Sequence, residues 1–439
     1  MKSKISVLIS IILSVLVSSM DATIMNTTMP VIAESLGGFD LFAWVFSSYM
    51  IASTVSALIV GRLSDVFGRK KIFGFGIVWF LITSCLCGLS QTMEQLVVFR
   101  ALQGVGGGFL LSLPAIVTGD LFSVEQRGKV QALGTGMWGL SAVLAPLLGA
   151  FFVEYMTWRW IFYVNIPICI IALITLLPYR ENHVRKKVSV DYIGALLLSV
   201  GVSVLLLVTV VDSGQIIYGL IGALVIVGFY FYERKQTSPL IPFFLFRDHT
   251  LRWMNINGFL SWVALFGTAS YIPLFLQKIA HLSVITSGLA LLGTAVGWIT
   301  TSTLSGKWIL KYGYRPLFII GNLFLTFSGI LFFLMQREYG FVYVFFALFI
   351  QGLGFGLLST ISVIGAQQLV PVGEKGISTS FALFIRNIGG AAGVTIMGAI
   401  LDKSANFMNG IHELFLYGLV GSVIALLTAF FIKERQQSM

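Results

Sequence analysis

Charged residues divide the chain into fourteen apolar runs, at residues 5–30, 41–60, 72–90, 95–119, 129–152, 161–178, 191–211, 216–233, 254–276, 284–304, 316–335, 341–367, 378–400 and 413–432. A helix needs about 20 mostly apolar residues to cross the hydrocarbon core of a bilayer. Runs of this length joined by short polar loops predict an all-α integral membrane protein of fourteen transmembrane helices. The first run, behind Lys2 and Lys4, has the outline of a secretory leader. No Ala-x-Ala site follows, however, and Asp21 with the stretch from Asn26 to Pro30 reads as the rest of a longer helix.

Composition narrows the class further. Of the 439 residues, 57% are hydrophobic and 10% charged, and the mean hydropathy is +0.93. Soluble domains carry about 25% charged residues, so a soluble enzyme, a disordered regulator and a secreted disulfide scaffold are excluded. Cys85, Cys87 and Cys169 lie inside apolar runs and read as small packing residues. The four histidines are not spaced as ligands, and no metal site is expected.

The net charge of +10 is explained by topology. With the N-terminus placed inside, 22 lysines and arginines fall in inside segments, four (Arg159, Lys278, Arg337 and Lys403) fall outside, and Arg100 and Arg386 fall within spans. This positive-inside bias places both termini in the cytoplasm of a multi-pass protein of the cell (inner or plasma) membrane. The basic loops orient the chain and can meet acidic lipid headgroups; no nucleic-acid partner is needed to account for them.

Two of these loops repeat. Gly61-Arg62-Leu63-Ser64-Asp65-Val66-Phe67-Gly68-Arg69-Lys70 and Gly306-Lys307-Trp308-Ile309-Leu310-Lys311-Tyr312-Gly313-Tyr314-Arg315 both follow an even-numbered span. Each keeps a glycine, a basic residue, a glycine seven positions after the first, and a further basic residue. The expected organisation is a duplicated six-helix bundle, residues 1–187 and 237–439, with two inserted helices at 188–236. In such parallel repeats the substrate site lies between the halves near the bilayer midplane.

At the level of motifs the chain resembles the major facilitator superfamily, and within it the fourteen-span drug:proton antiporters of the multidrug efflux type. The resemblance rests on Met20 to Pro30 in the first span, Gly61 to Lys71 between spans two and three, and Arg100-Ala101-Leu102-Gln103-Gly104-Val105-Gly106-Gly107 in span four. It also rests on the antiporter-motif helix, with Gly139, Pro146 and Gly149, and on Trp158 to Pro167 at the start of span six. The second half matches through topology, the degenerate loop and Arg386-Asn387-Ile388-Gly389-Gly390. The antiporter motif departs from the pattern at Ala145 and Ala150, where the family usually has glycine, and the second loop has Leu310 where the first has Asp65.

Asp21 is the one acidic residue well inside a span. A carboxylate at that depth costs several kcal/mol and persists by facing a cavity, pairing, or holding a proton. Burial favours its protonated form and a nearby cation its ionised form, so one carboxyl can exchange a proton for a cationic substrate. The structural alternative is an aspartate bonded to neighbours such as Thr23 or Asn26. At 1.5 Å per residue, Asp21 lies roughly 24 Å above a start at Ile5, and Arg100 about 8 Å below a start at Gln95. In a ~30 Å core both fall in the outer part, and the resemblance assigns Arg100 to proton coupling. Gly61, Asp65, Gly68 and Arg69 form the candidate gating loop, with Asp65 able to meet a helix N-terminus and Arg69 able to reach Asp120. By the resemblance this is a latch for one orientation of the two halves; Lys70 and Lys71 are assigned to topology alone.

Arg386 has no acidic partner in a neighbouring span that the sequence identifies. Backbone carbonyls, Gln351, Gln367 or an anionic part of a substrate are its candidate partners. Substrate-cavity candidates are Asn26, Gln103, Trp138, Arg386 and Asn387, with Trp44, Trp262 and Trp298 as further aromatics. The glycines from Gly104 to Gly108 lack the Gly-Lys-Ser/Thr ending of a phosphate loop and sit in a span. No nucleotide or other cofactor is therefore expected, and a proton gradient supplies the energy. The expected function is proton-coupled export of lipophilic, mainly cationic compounds by alternating access, by a monomer that is not an enzyme. The alternatives are a dedicated exporter of one compound (a tetracycline–metal chelate, a lipid precursor or a metabolite), a non-transporting membrane sensor, and a membrane enzyme. The last lacks any paired-carboxylate, His-cluster or Ser/His/Asp set at span depth.

Overall fold

A computed structural model describes residues 2–37, 41–181, 191–208, 214–236, 241, 244–282, 284–336, 338–404 and 407–433. The domain limit at 187/188, with Arg185, Lys186 and Lys187, lies outside the described residues. Among the described residues, each apolar run read from the sequence contains helix. The helices are α1 (Lys2–Leu36), α2 (Phe42–Phe67), α3 (Arg69–Leu89), α4 (Met93–Leu121), α5 (Val124–Tyr155), α6 (Trp160–Tyr163), α7 (Asn165–Leu176), α8 (Tyr192–Leu207) and α9 (Gln215–Glu233). They continue with the short α10 (Phe244–Arg247), then α11 (His249–Lys278), α12 (Val284–Tyr312), α13 (Arg315–Phe333), α14 (Phe341–Gln368), α15 (Lys375–Lys403) and α16 (Phe407–Ala429). The sixth apolar run is shared by α6 and α7. Eight of the helices among the described residues, namely α1 to α4, α9, α13, α14 and α16, are long and apolar enough to cross a membrane.

The helices group into two compact units. The first comprises residues 1–121, 140–243 and 371–381, the second 122–139, 244–370 and 382–439. The inserted pair α8 and α9 thus packs with the first unit, and α5 contributes its start to the second unit and the remainder to the first.

Small residues set the packing in each. In the first unit α4 runs against α2 and α3, and its glycines are where the backbones meet: a Cβ on Gly106 would stand 2.9 Å from Phe80 Cα, and one on Gly108 would strike Ser56 Oγ and Ser53 O. The second unit repeats this, with α14 in the place of α4. Gly352 and Gly356 of α14 meet α12 at Thr294 and Trp298, and Gly354 meets Gly321 O of α13. Side chains cannot fill such crossings, so dispersion between closely approaching backbones replaces the hydrophobic drive that is missing in lipid. Aliphatic faces turned outward, such as Ile216, Leu220 and Leu224 of α9, are exposed and suit acyl chains.

The repeated loops owe their second glycines to backbone conformation. Gly68 (φ +98°) separates α2 from α3, and Gly313 (φ +77°) separates α12 from α13. L-residues avoid this region at a cost of about 1–3 kcal/mol. Gly68→Ala is therefore expected to lower the thermal unfolding midpoint of the purified protein. Gly74→Ala, mid-helix in α3 with its nearest outside atom 3.8 Å from the new Cβ, should leave it unchanged or raise it. Equal effects of the two substitutions would refute the conformational argument.

Candidate functional site

Asp21 lies mid-way along α1 and is 1% exposed. Arg100 of α4, equally buried, donates through Nη1 to Asp21 Oδ2 at 2.7 Å and to Gln103 Oε1 at 2.6 Å. Gln103 closes the triangle by donating from Nε2 to Asp21 Oδ1 at 3.0 Å and to Ser84 Oγ of α3 at 2.7 Å. Ser84 Oγ also accepts from Asn165 Nδ2, at the start of α7, at 3.1 Å. Beneath the guanidinium lies the Tyr49 ring of α2, 4.2 Å from centroid to Cζ. Five helices of one unit therefore converge on a single ion pair. The Arg100 and Gln103 side chains meet because residues three apart share a helix face. Thr23 is not the partner of Asp21: its hydroxyl donates to Ser19 O at 2.8 Å.

Such a pair is chemically bistable. Separating the partners leaves a carboxyl that can take a proton or a cation, whereas removing one of them leaves an uncompensated buried charge worth about 3–5 kcal/mol. The second unit has a neutral counterpart. Asn257 and Ser261 of α11, Asn322 of α13 and Thr428 of α16 are mutually hydrogen-bonded at 3.0–3.3 Å and buried. Among the described residues, the first unit's network carries charge and the second unit's does not.

The residues of the candidate gating loop also assemble. Asp65, in the last turn of α2, pairs with Arg69 Nη1 at 2.5 Å and accepts from the backbone N–H of Ile377 at 3.2 Å, in the first turn of α15. Arg69 in turn donates through Nε to Asp120 Oδ2 at 2.9 Å and through Nη1 to Ser64 Oγ at 2.6 Å. Gly61 permits the approach: a Cβ there would strike Ser380 Oγ and lie 2.5 Å from Gly376 O. The second loop makes the same kind of crossing without the carboxylate. A Cβ on Gly306 of α12 would lie 2.6 Å from Val124 O and Glu125 O of α5, and Gly128 faces Ser302 O across the contact. Lys307 and Glu125 approach only to 3.8 Å with both side chains more than half exposed, an arrangement worth about 0–1 kcal/mol.

Lys70, assigned by the sequence to topology alone, makes hydrogen bonds. Its Nζ donates to Leu177 O at 2.6 Å, and its backbone N–H donates to Glu181 Oε2 at 3.0 Å. The cavity candidates have different surroundings. Gln103 belongs to the ion-pair network; Trp138 is 39% exposed. Asn387 is exposed while its neighbour Arg386 is buried. Arg386 donates to Ser359 O at 3.1 Å, a backbone carbonyl. A Cβ added to Gly139 would lie 3.3 Å from Ala295 Cβ, and Gly149 is buried. The side chains of Asn26 and Pro146 lie outside the described residues. Ser84, Asn165 and Tyr49 are additions that the sequence did not single out; polar Ser84 and Asn165 inside apolar runs were the available signal.

A sequence model of the Major Facilitator Superfamily matches residues 11–394, which include the ion pair, both glycine loops and Arg386. The chain belongs to the Major Facilitator Superfamily. It is 34% identical over 427 residues to multidrug resistance protein 3 of Bacillus subtilis, covering 95% of this chain and 82% of that one. It is 33% identical over 418 residues to the multidrug transporter protein MdtP of the same organism, covering 93% and 77%. The multidrug efflux pump SdrM of Staphylococcus aureus is 30% identical and matches over 100% and 99% of the two chains. Among solved structures, the human organic anion transporter MFSD10 superposes with a TM-score of 0.72 at 16% identity, over 98% of this chain and 99% of that one. The proton:xylose symporter XylE does so with 0.69 at 16% identity, over 98% and 96%. At these identities the structures establish the fold. Major facilitators are transporters rather than enzymes, and this chain is a multi-pass membrane member of them.

Proposed function

We propose that this major facilitator is a proton-coupled multidrug exporter of the fourteen-span drug:proton antiporter branch, with both termini cytoplasmic. The reading is carried by the buried Asp21–Arg100 pair bridged by Gln103. It is supported by relatives named for multidrug transport and efflux. In one state Arg100 holds Asp21 ionised. In the other the pair separates, and Asp21 takes a proton from outside or competes for a cationic substrate from inside. Asp65 and Arg69 latch the cytoplasmic ends of α2 and α15 while the site faces outward.

A single exchanging carboxyl implies one proton per turnover. Exchange of one proton for one monovalent cation moves no net charge, so a pH gradient, at about 1.36 kcal/mol per unit, drives export. A membrane potential, worth about 2.3 kcal/mol per charge per 100 mV, does not. In acid-loaded proteoliposomes, ethidium, a quaternary ammonium, a fluoroquinolone and tetracycline should each be tested for substrate-induced proton release. Release with several cations is the expected result. Release with one compound alone would make the chain a dedicated exporter, and cation movement driven by voltage alone would overturn the one-proton stoichiometry.

A further inference from the structure

The second unit buries a cation that no ion pair among the described residues neutralises. Ion pairs among the described residues join Arg69 to Asp65 and Asp120, Arg100 to Asp21, and Lys307 to Glu125; Arg386 is in none of them. Its side chain is 6% exposed, its guanidinium lies 4.5 Å above the Trp262 ring of α11, and its Nη1 donates to Ser359 O of α14. Its Nε is buried with no hydrogen-bond partner among the described residues. Arg100 offers the comparison inside the same protein. It too lies over an aromatic ring and has an orphaned Nε, but it faces a carboxylate at 2.7 Å. An uncompensated cation at membrane depth is among the costliest placements a side chain can have. A ring face and one carbonyl offset only part of that cost. Among the described residues, what the Arg386 site lacks relative to the Arg100 site is the anion.

The surroundings indicate the shape of the missing partner. From Trp262 an aromatic ladder continues to Phe355 of α14 at 4.6 Å between centroids, and from Phe355 to Trp298 of α12 at 4.2 Å, edge to face. Trp298 is half-buried and its indole N–H is without a hydrogen-bond partner among the described residues. One turn from Phe355 on the same face of α14, Gln351 is 4% exposed with its Oε1 likewise unpartnered. Four helices thus bring together a cation, three aromatic rings, a free N–H donor and a free amide acceptor.

We propose that this cluster in the second unit is a binding subsite for the carboxylate of a planar aromatic compound, with the anion on Arg386 and the rings along the Trp262–Phe355–Trp298 ladder. The subsite deepens the export reading and rests on it for the transport of small aromatic molecules. It extends the substrate range from lipophilic cations to amphoteric compounds that carry both a cationic centre and a carboxylate.

Rhodamine 110 and rhodamine 123 test this directly, because they share one planar cationic ring system and differ in a free carboxylate against its methyl ester. Binding of each dye to the purified full-length protein is read by fluorescence anisotropy, and the ratio of the two dissociation constants is the observable. Wild type should favour the carboxylate dye. Arg386→Gln should lower that preference at least tenfold, and Trp298→Phe, which keeps the ring and deletes the donor, at least threefold. Arg386→Lys, retaining charge without the planar fork, should fall between wild type and Arg386→Gln. Should Arg386→Gln fail to fold, the other two variants decide. Absence of any preference in wild type, or an unchanged ratio in the folded variants, overturns the subsite. Export of rhodamine 123 against a pH gradient in proteoliposomes separates the two readings. Movement of the ester with an unchanged ratio removes the subsite alone. A ratio that falls as expected while neither dye moves keeps the subsite and removes the antiport.

Discussion

Asp21→Asn is expected to abolish substrate-induced proton release and to lower pH-driven export at least a hundredfold, while the protein still reaches the membrane. Asparagine keeps the size of the side chain and can keep a hydrogen bond to Gln103, so the packing of α1 against α4 survives. The carboxyl group, and with it any proton it could exchange, does not. The substitution also strands Arg100, buried to 1% exposure, with only Gln103 Oε1 and the Tyr49 ring for company. Breaking a buried pair from one side costs about 3–5 kcal/mol. The double variant Asp21→Asn/Arg100→Gln should therefore unfold at a higher temperature than Asp21→Asn alone and still be uncoupled. This non-additivity is the signature of a direct pair. Proton release by Asp21→Asn at the wild-type level would assign coupling elsewhere and leave Asp21 a structural residue.

How much of this could be read from the chain differs from residue to residue, for physical reasons. The depth of a residue follows from counting along a helix of known rise, and counting placed Asp21 and Arg100 at neighbouring levels, where they meet at 2.7 Å. The recurrence of Gly61 and Gly68 at Gly306 and Gly313 was legible as a repeat. Its cause, a positive φ at the second glycine and a backbone crossing at the first, was not. Helices that are apolar all round give no rotational signal for which face meets which neighbour. Hence Gly376 and Gly128 could not be named as the partners of the two loops, nor Ser359 O chosen over Gln351 and Gln367 for Arg386. For the same reason the aromatic ladder was visible only as scattered tryptophans. Lys70 was assigned to topology because sign and side are all that a loop charge reveals; its capping of Leu177 O depends on where α7 ends.

The second large effect should come from glycine, where no charge changes. Gly61→Val is expected to reduce export at least tenfold with dye affinity altered less than threefold. At Gly61 the obstruction includes Gly376 O, a backbone atom of α15 that cannot rotate aside. The added side chain therefore forces α2 and α15 apart at this crossing. With them goes the hydrogen bond between Asp65 and the Ile377 N–H, which aligns a carboxylate with the positive end of α15. Asp65→Asn keeps the close approach and weakens only the charge-assisted bonds, each worth about 1.5–3 kcal/mol, so its effect on export should be smaller than that of Gly61→Val. Gly306→Val tests whether the repeated geometry or the carboxylate matters. At its crossing an added Cβ would lie 2.6 Å from Val124 O and Glu125 O, but Leu310 stands in place of Asp65. A loss comparable to that of Gly61→Val would make close backbone approach the common requirement of both loops, with the Asp65–Arg69 latch an addition to one of them. A Gly306→Val protein that exports normally would confine the gate to α2 and α15 and leave the second glycine loop a relic of duplication. Initial rates of dye export in proteoliposomes, normalised to reconstituted protein, distinguish these outcomes.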